Sequence, residues 1–127
     1  MKKNGILNGP LNGALGGLGH GHLVVIADCG LPLPDPDIVV DLALVKGIPR
    51  FADVLRAVLA DIEVEGAVLA SEASGTAVEE AVRGEGLKPK LVSHEELKAL
   101  LPFARLIIRT GEATPYANLI LRCGVTF

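Results

Sequence analysis

The sequence predicts an α/β domain in which amphipathic helices cover a mostly aliphatic sheet. Three observations support this class. The 127 residues are 50% hydrophobic but only 3% aromatic. Short aliphatic runs alternate with helix-spaced segments for most of the chain. No repeat, linker or low-complexity tail interrupts this order, so we expect a single domain over residues 1–127, a length that suits one core.

The first half of the chain predicts two helices and two strands. Residues 5–19 predict a helix with Leu11, Ala14, Leu15 and Leu18 on one face. Residues 23–28 form an apolar run typical of a strand buried on both faces. Three prolines in 32–36 exclude regular structure there. Alternation over 38–44 predicts the second strand, and the amphipathic stripe over 51–62 predicts the clearest helix. The apolar positions of that stripe are Phe51, Val54, Leu55, Val58, Leu59 and Ile62.

The second half predicts four more strands, separated by two capped helices. The strands cover residues 67–70, 91–92, 106–108 and 119–121. Each helix opens on a capping box, in which a hydroxyl side chain precedes a glutamate by three positions. The boxes are Thr76 to Glu79, closed by Gly84 and Gly86, and Ser93 to Glu96, whose helix reaches about Leu101 and has His94 at its first position.

Charge and composition exclude several classes of protein. Lys plus Arg total 12 against 15 acidic residues, a net charge of -3, which argues against a nucleic-acid binder. The aliphatic run 23–27 is far shorter than the ~20 residues of a membrane span. Residues 1–5 do not begin a secretory signal. Cys29 and Cys123 make no disulfide framework, so we expect reduced thiols in the core of a soluble, intracellular protein.

The chain is strongly aliphatic, but a domain of this size has little interior in which to bury apolar side chains. We therefore expect other copies of the chain to cover part of its surface, as in obligate oligomers.

The glycine-rich segment 13–21 does not match a dinucleotide-binding fingerprint. After Gly17 and Gly19 the third glycine is replaced by His22, and the strand follows the segment instead of preceding it. The His20-x-His22 pair allows two interpretations, a polar turn or a functional site, because histidine titrates near neutral pH. A metal site with Asp28, Cys29 or His94 is disfavoured, since no helical His spacing or paired-Cys signature accompanies it.

Asp28 follows the buried strand, at the kind of position where open α/β sheets bind ligands. It is either a working carboxylate or a cap for local amides. If residues 23–27 are extended at about 3.3 Å each, His20 and Asp28 lie more than about 15 Å apart in one subunit. They can share a site only if the segment bends or if neighbouring subunits each supply one.

Three further polar residues are candidates for the site. His94 is either a hydrogen-bonding group or a solvated first-turn residue. Tyr116 and Asn118 are close in sequence, and a phenol with an amide suits a polyol because each group donates and accepts. Arg109 and Glu112 are expected to form an ion pair that steadies a turn.

Taken together, these segments resemble the D-ribose pyranase family, with its relative L-fucose mutarotase. The matching segments are 1–8, Leu18-Gly-His20, Val25-Ile-Ala-Asp28-x-Gly-Leu-Pro32, Ser93-His94-Glu-Glu, Ile108-Arg-Thr-Gly-Glu112-x-Thr-Pro-Tyr116-Ala-Asn118 and Gly124-Val-x-Phe127. They extend nearly end to end. The Ala-Asp-x-Gly-Leu-Pro segment and the Thr-Pro-Tyr-Ala-Asn ending favour the pyranase branch.

The resemblance implies a three-layer α/β/α domain with a mixed sheet, and a cytoplasmic isomerase that interconverts pyranose and furanose forms of D-ribose in ribose catabolism. It implies that His20 is the proton donor and that Asp28, His94, Tyr116 and Asn118 hold the sugar. It also implies a homodecamer of two pentamers with sites at subunit contacts. Proton shuttling needs neither metal nor organic cofactor, so we expect none.

Two departures and three alternatives remain open. His22 replaces the Asp usual in the family, and the first helix is richer in glycine than usual. The alternatives are a mutarotase for L-fucose or another monosaccharide, a non-catalytic sugar-binding partner of a transport or kinase system, and a structural ring protein. The last is disfavoured because polar residues concentrate at the ends of elements.

Overall fold

The computed structural model describes residues 1–127 and contains a six-stranded sheet with helices on both faces. The strands are β1 Leu23–Ala27, β2 Val39–Asp41, β3 Val64–Ala70, β4 Lys90–Val92, β5 Ala104–Arg109 and β6 Leu119–Cys123. The helices are α1 Gly9–Gly16, α2 Phe51–Leu59, α3 Ala77–Gly84 and α4 His94–Leu100. The predicted three-layer α/β class is confirmed.

The sheet is mixed because one strand runs against all the others. Its order is β2-β5-β1-β6-β3-β4, and β6 is antiparallel to both of its neighbours while the remaining pairs are parallel. The carboxyl ends of the other five strands therefore lie along one side of the sheet, which we call the carboxyl edge. The opposite side is the amino edge.

Alternate residues of β1 supply the two halves of the core. Val24 and Ile26 pack with α1, α2 and α3 on one face, whereas Val25 and Ala27 pack with α4 on the other. All four side chains are buried, as predicted for a strand covered on both faces.

The starts of α3 and α4 follow from polar side chains at the predicted capping positions. Thr76 accepts a hydrogen bond from the Val78 amide, and Ser93 accepts one from the Glu96 amide at 3.1 Å. In a capping box, the Glu79 carboxylate would accept from the amide of the cap residue Thr76. It accepts instead from the amide of Gly75, one residue earlier. His94 is the first residue of α4, as predicted.

Several predicted elements differ from the structure in extent; for the first helix, the second strand and the proline-rich loop the reason is local. The first helix covers only Gly9–Gly16 of residues 5–19, which fits the poor helix propensity of its glycines. The second strand is limited to Val39–Asp41, because the Asp41 carboxylate accepts from the Ala43 amide and turns the chain. The last of the three prolines begins a single 3₁₀ turn, Pro36–Ile38, in the loop predicted to be irregular.

Candidate functional site

A cleft of about 450 Å³ lies at the carboxyl edge. Its walls come from the segment 28–32 after β1, the segment 112–116 before β6, the exposed Lys46 and the start of α4 at His94. We call it the carboxyl-edge cleft. Three of the predicted site residues, Asp28, His94 and Tyr116, line it together, although they are far apart in sequence.

Asp28 is held by hydrogen bonds to both of its carboxylate oxygens. Oδ1 accepts from the Gly30 amide at 2.9 Å, and Oδ2 accepts from Asn118 Nδ2 at 3.0 Å. The Asn118 Oδ1 in turn accepts from the Asp28 amide at 2.8 Å. Asn118 is fully buried, so it lies behind Asp28 and fixes its orientation. Asp28 therefore caps a local amide and also lines the cleft.

His94 and Tyr116 form an aromatic pair in the cleft wall. Their ring centroids are 5.1 Å apart and the rings meet edge to face at 76°. Tyr116 has φ of 63°, the one positive value outside glycine, and such a backbone costs on the order of 1–3 kcal/mol. Strained residues of this kind concentrate at functional sites. His94 is half-buried as a residue, and its Nδ1 is buried without a hydrogen-bond partner.

Glu72, which the sequence reasoning missed, holds the start of α4. Both of its carboxylate oxygens lie 3.0 Å from the backbone nitrogen of His94. This hydrogen bond is the main reason why the pKa of Glu72 lies below its usual value, against a smaller opposing effect of desolvation. The position of Glu72 just beyond the carboxyl end of β3 could have identified it, since functional groups gather at that edge of the sheet.

Buried hydrogen bonds tie the two long walls of the cleft together. Thr110 is fully buried and donates from Oγ1 to the carbonyl of Ala27 at 2.8 Å. The amide of Cys29 donates to the carbonyl of Glu112 at 2.8 Å. Gly111 lies so close to the backbone of Ile48 that a Cβ atom would overlap it.

This close approach at Gly111 also anchors the loop that carries Lys46. The Gly111 amide donates to the carbonyl of Pro49 at 2.9 Å, and the Gly47 amide donates to the carbonyl of Gly111 at 2.6 Å. Lys46 is consequently the one lysine in the cleft wall. The sequence reasoning missed it, because nothing in its local pattern connects it with Asp28.

The predicted ion pair between Arg109 and Glu112 is wrong. Arg109 instead contacts Asp41, with 3.0 Å between Nη1 and Oδ2, and donates from Nη2 to the carbonyl of Cys29 at 2.9 Å. Neighbouring strands bring Asp41 beside Arg109, because the two are register partners in β2 and β5. Glu112 points elsewhere and accepts from the Phe51 amide at 3.3 Å.

His20 lies at the amino edge, beyond the other end of β1 from Asp28. Its Nε2 is 2.9 Å from Oε2 of Glu65, and Oε1 of Glu65 is 2.8 Å from Nε of Arg122. We call these three residues the amino-edge cluster. The His20 hydrogen bond is the main cause that lowers the pKa of Glu65, with a further contribution from Arg122 and partial opposition from desolvation.

His22 steadies the turn before β1. Its Nδ1 accepts from the Gly19 amide at 2.8 Å, three residues earlier in the chain. The histidine that replaces the Asp usual in the family therefore makes a local contact within this turn.

The two cysteines are free and differ in their surroundings. Cys123 is buried, as expected, and desolvation together with the charge of Glu65 raises the pKa of its thiol. Cys29 departs from the expectation of a core thiol, because it is only half-buried and lines the carboxyl-edge cleft. It follows Asp28 where β1 leaves the sheet.

No three His, Cys, Asp or Glu side chains gather closely enough to hold a metal ion. None of the helices combines the length and the apolar character that crossing a bilayer requires.

Residues 1–126 match the model of the RbsD / FucU transport protein family, and the chain belongs to this family. It is 54% identical to a D-ribose pyranase of Streptomyces coelicolor, with both chains covered completely. Its fold superposes on Bacillus subtilis RbsD complexed with D-ribose with a TM-score of 0.92, at 42% identity and complete coverage of both chains. A fucose mutarotase from Streptococcus pneumoniae in complex with L-fucose shares the fold, with a TM-score of 0.76 at 21% identity over 95% of each chain.

Proposed function

We propose that this chain is a D-ribose pyranase, an isomerase that interconverts the pyranose and furanose forms of the sugar. The observation that carries the proposal is the carboxyl-edge cleft, which brings Asp28, His94 and Tyr116 together in a chain 54% identical to a D-ribose pyranase over its full length. The similarity to the fucose mutarotase, at 21% identity, concerns the fold alone.

The chemistry requires only the movement of protons. A pyranose opens when its anomeric hydroxyl loses a proton and its ring oxygen gains one. The open aldehyde then recloses through a different hydroxyl, with no change in composition or oxidation state. General acid–base catalysis contributes about 10²–10⁴-fold, which suits a reaction that already occurs slowly in water.

Each candidate residue has a proposed role that its position supports. Asp28, His94 and Tyr116 hold the sugar hydroxyls, because all three residues line one cleft. Asn118 contributes to binding through Asp28, which it fixes from its buried position. His20 is the proton donor.

The site is completed at a contact between subunits. His20 and Asp28 of one chain lie beyond opposite ends of the extended β1, so His20 must reach the cleft of a neighbouring copy. The homodecamer of two pentamers implied by the family resemblance supplies such contacts. Large apolar side chains remain exposed for them, including Leu7, Leu44, Val45, Ile48, Phe103 and Phe127. We place this assembly in the cytoplasm, where it acts in ribose catabolism.

Saturation-transfer NMR on equilibrated D-ribose tests the activity. We expect wild type to accelerate exchange between pyranose and furanose signals and His20→Ala to lose that acceleration. Acceleration that survives in the variant would reject His20 as the donor. Exchange of L-fucose but not ribose would indicate a mutarotase of the other branch, and ribose binding without exchange in wild type would indicate a sugar-binding protein.

Mixing two inactive variants tests the shared site. A complete site needs His20 from one subunit and Asp28 from its neighbour. Random co-assembly of His20→Ala with Asp28→Asn should therefore restore about one quarter of the wild-type activity, whereas each variant reassembled alone stays inactive. A mixture without recovered activity would mean that both residues act within one subunit.

A further inference from the structure

Glu65 occupies an irregular position in the sheet. On β3, Val64 pairs with Cys123 and Gly66 pairs with Arg122, so Glu65 is the extra residue of a β-bulge opposite β6. A bulge interrupts the ladder and redirects the side chain of its extra residue, and bulges are frequent beside active sites. Here the redirected carboxylate meets His20.

We propose that Glu65 is a positioning residue for His20, holding the imidazole with a proton on Nε2. Nδ1 then takes the proton of the anomeric hydroxyl and donates it to the ring oxygen, so that His20 is the proton donor in the second half of the ring opening. The inference rests on the proposed pyranase activity. It assigns to Glu65 the task of the third group in many acid–base sites, which orients the imidazole and selects its tautomer.

The contacts on both sides of the carboxylate fit this role. Oε2 of Glu65 faces His20 Nε2 at 2.9 Å, and Oε1 is held by Arg122 Nε at 2.8 Å, so the carboxylate is oriented before it meets the ring. Carboxylates are charged at neutral pH, and the His20 hydrogen bond lowers the pKa of Glu65 further. A charged carboxylate only accepts hydrogen bonds, so the neutral ring must present Nε2–H to it.

The backbone around His20 is fixed by β6, one of the two strands of the bulge. The Gly21 amide donates to the carbonyl of Cys123, and the Cys123 amide donates to the carbonyl of His22, both at 2.9 Å. Asp61 and Glu63 line the same surface depression as His20, yet neither makes a side-chain contact with the imidazole. Glu65 is thus the acidic group that the fold directs at this ring.

Stability alone does not account for this arrangement. The side chains of His20 and Glu65 are 56% and 37% exposed, and exposed ion pairs add little to folding free energy. A bulge also sacrifices regular pairing between β3 and β6. A directed contact to a histidine at the proposed subunit contact explains why this geometry is useful.

The experiment combines imidazole ¹⁵N NMR with ribose exchange on the assembled protein. Wild type should show His20 mainly as the Nε2–H tautomer, and Glu65→Ala should show a mixture of tautomers. Glu65→Gln retains an acceptor oxygen and should keep much of the wild-type preference. Glu63→Ala, an exposed neighbour on the same segment, is the matched control and should leave the spectrum unchanged.

The exchange rate gives the second readout. We expect Glu65→Ala to lose about tenfold in ribose exchange, part of the ~10²–10⁴-fold contribution of acid–base catalysis, with partial rescue in Glu65→Gln. Wild-type tautomer and rate in Glu65→Ala, with His20→Ala inactive, would overturn the positioning role and leave the pyranase intact. Absence of exchange in wild type would overturn the pyranase instead, and the role of Glu65 with it.

Discussion

The two edges of the sheet hold their polar groups in opposite ways. At the carboxyl edge, Asp28 is fixed by the fully buried Asn118, and Tyr116 is kept in a strained backbone conformation. At the amino edge, His20 is fixed by exposed charges, with more than half of its side chain accessible. The contacts at the carboxyl edge are complete within one chain, whereas those at the amino edge leave the His20 side chain exposed.

With the roles proposed for these residues, this difference separates sugar binding from proton transfer. Groups that hold a sugar benefit from rigid, preorganised geometry, which buried hydrogen bonds provide. A proton donor supplied to a neighbouring subunit has to lie on the surface, where only other surface groups can orient it. Substitutions at the two edges should therefore differ in their effects on stability and activity.

The largest effect is expected for Asn118→Ala. The change leaves the Asp28 amide and Oδ2 without their partner, and such a loss costs about 1–3 kcal/mol. Ribose exchange should fall sharply as well, because Asp28 loses its orientation. Denaturant titration at a fixed subunit concentration measures the stability, and saturation transfer measures the exchange.

Arg122→Ala is the comparison at the amino edge. Its exposed pair with Glu65 should contribute nothing measurable to the free energy of unfolding. Equal destabilisation by Asn118→Ala and Arg122→Ala would contradict the contrast between the edges.

A smaller, purely functional effect is expected for Tyr116→Gly. Glycine relieves the positive φ but removes the contact with His94, worth about 0.5–1.5 kcal/mol, so these two effects should nearly cancel. Exchange should nevertheless drop, because the cleft loses its phenol. Tyr116→Phe serves as control, since it retains the ring and should raise KM if the hydroxyl holds the sugar. Full activity of both variants would remove Tyr116 from the site.

The smallest effect concerns the pH dependence of stability. The pKa of Glu72 is lowered in the fold, so its contribution is present above the unfolded pKa and is lost as pH falls through the folded pKa. Glu72→Gln should therefore flatten the acid side of the curve of Tm against pH. The test is thermal unfolding between about pH 3 and 7, with the exposed Glu80→Gln as control. Parallel curves for wild type and Glu72→Gln would reject this role.

Much of the fold was predictable because its signals are local. The stripe over 51–62 and the Ser93 cap depend on neighbours within a few residues, and both helices begin where predicted. The early end of β2 was not predictable, because it depends on a turn made by Asp41. The bulge at Glu65 was missed because it arises from the pairing of β3 with β6.

The site was predictable where the chain itself carries the pattern. Asp28 follows a buried strand, and Tyr116 with Asn118 forms a recognisable ending. The partners Glu72, Glu65 and Lys46 come from other elements, and only the tertiary fold brings them close. The same reason explains why Arg109 selects Asp41 across neighbouring strands instead of Glu112 along the chain.

The placement of His20 and Asp28 beyond opposite ends of β1 has a consequence for symmetry. In the proposed shared site, the amino edge of one copy contacts the cleft of the next. Unless two copies exchange both edges across a two-fold axis, this contact unites two unlike surfaces and is heterologous. Such contacts continue indefinitely unless the rotation between copies closes a ring. A closed ring would give every subunit one complete site. In an open filament, by contrast, one terminal subunit would have a cleft without a neighbour's His20, and the other would have a His20 without a neighbour's cleft.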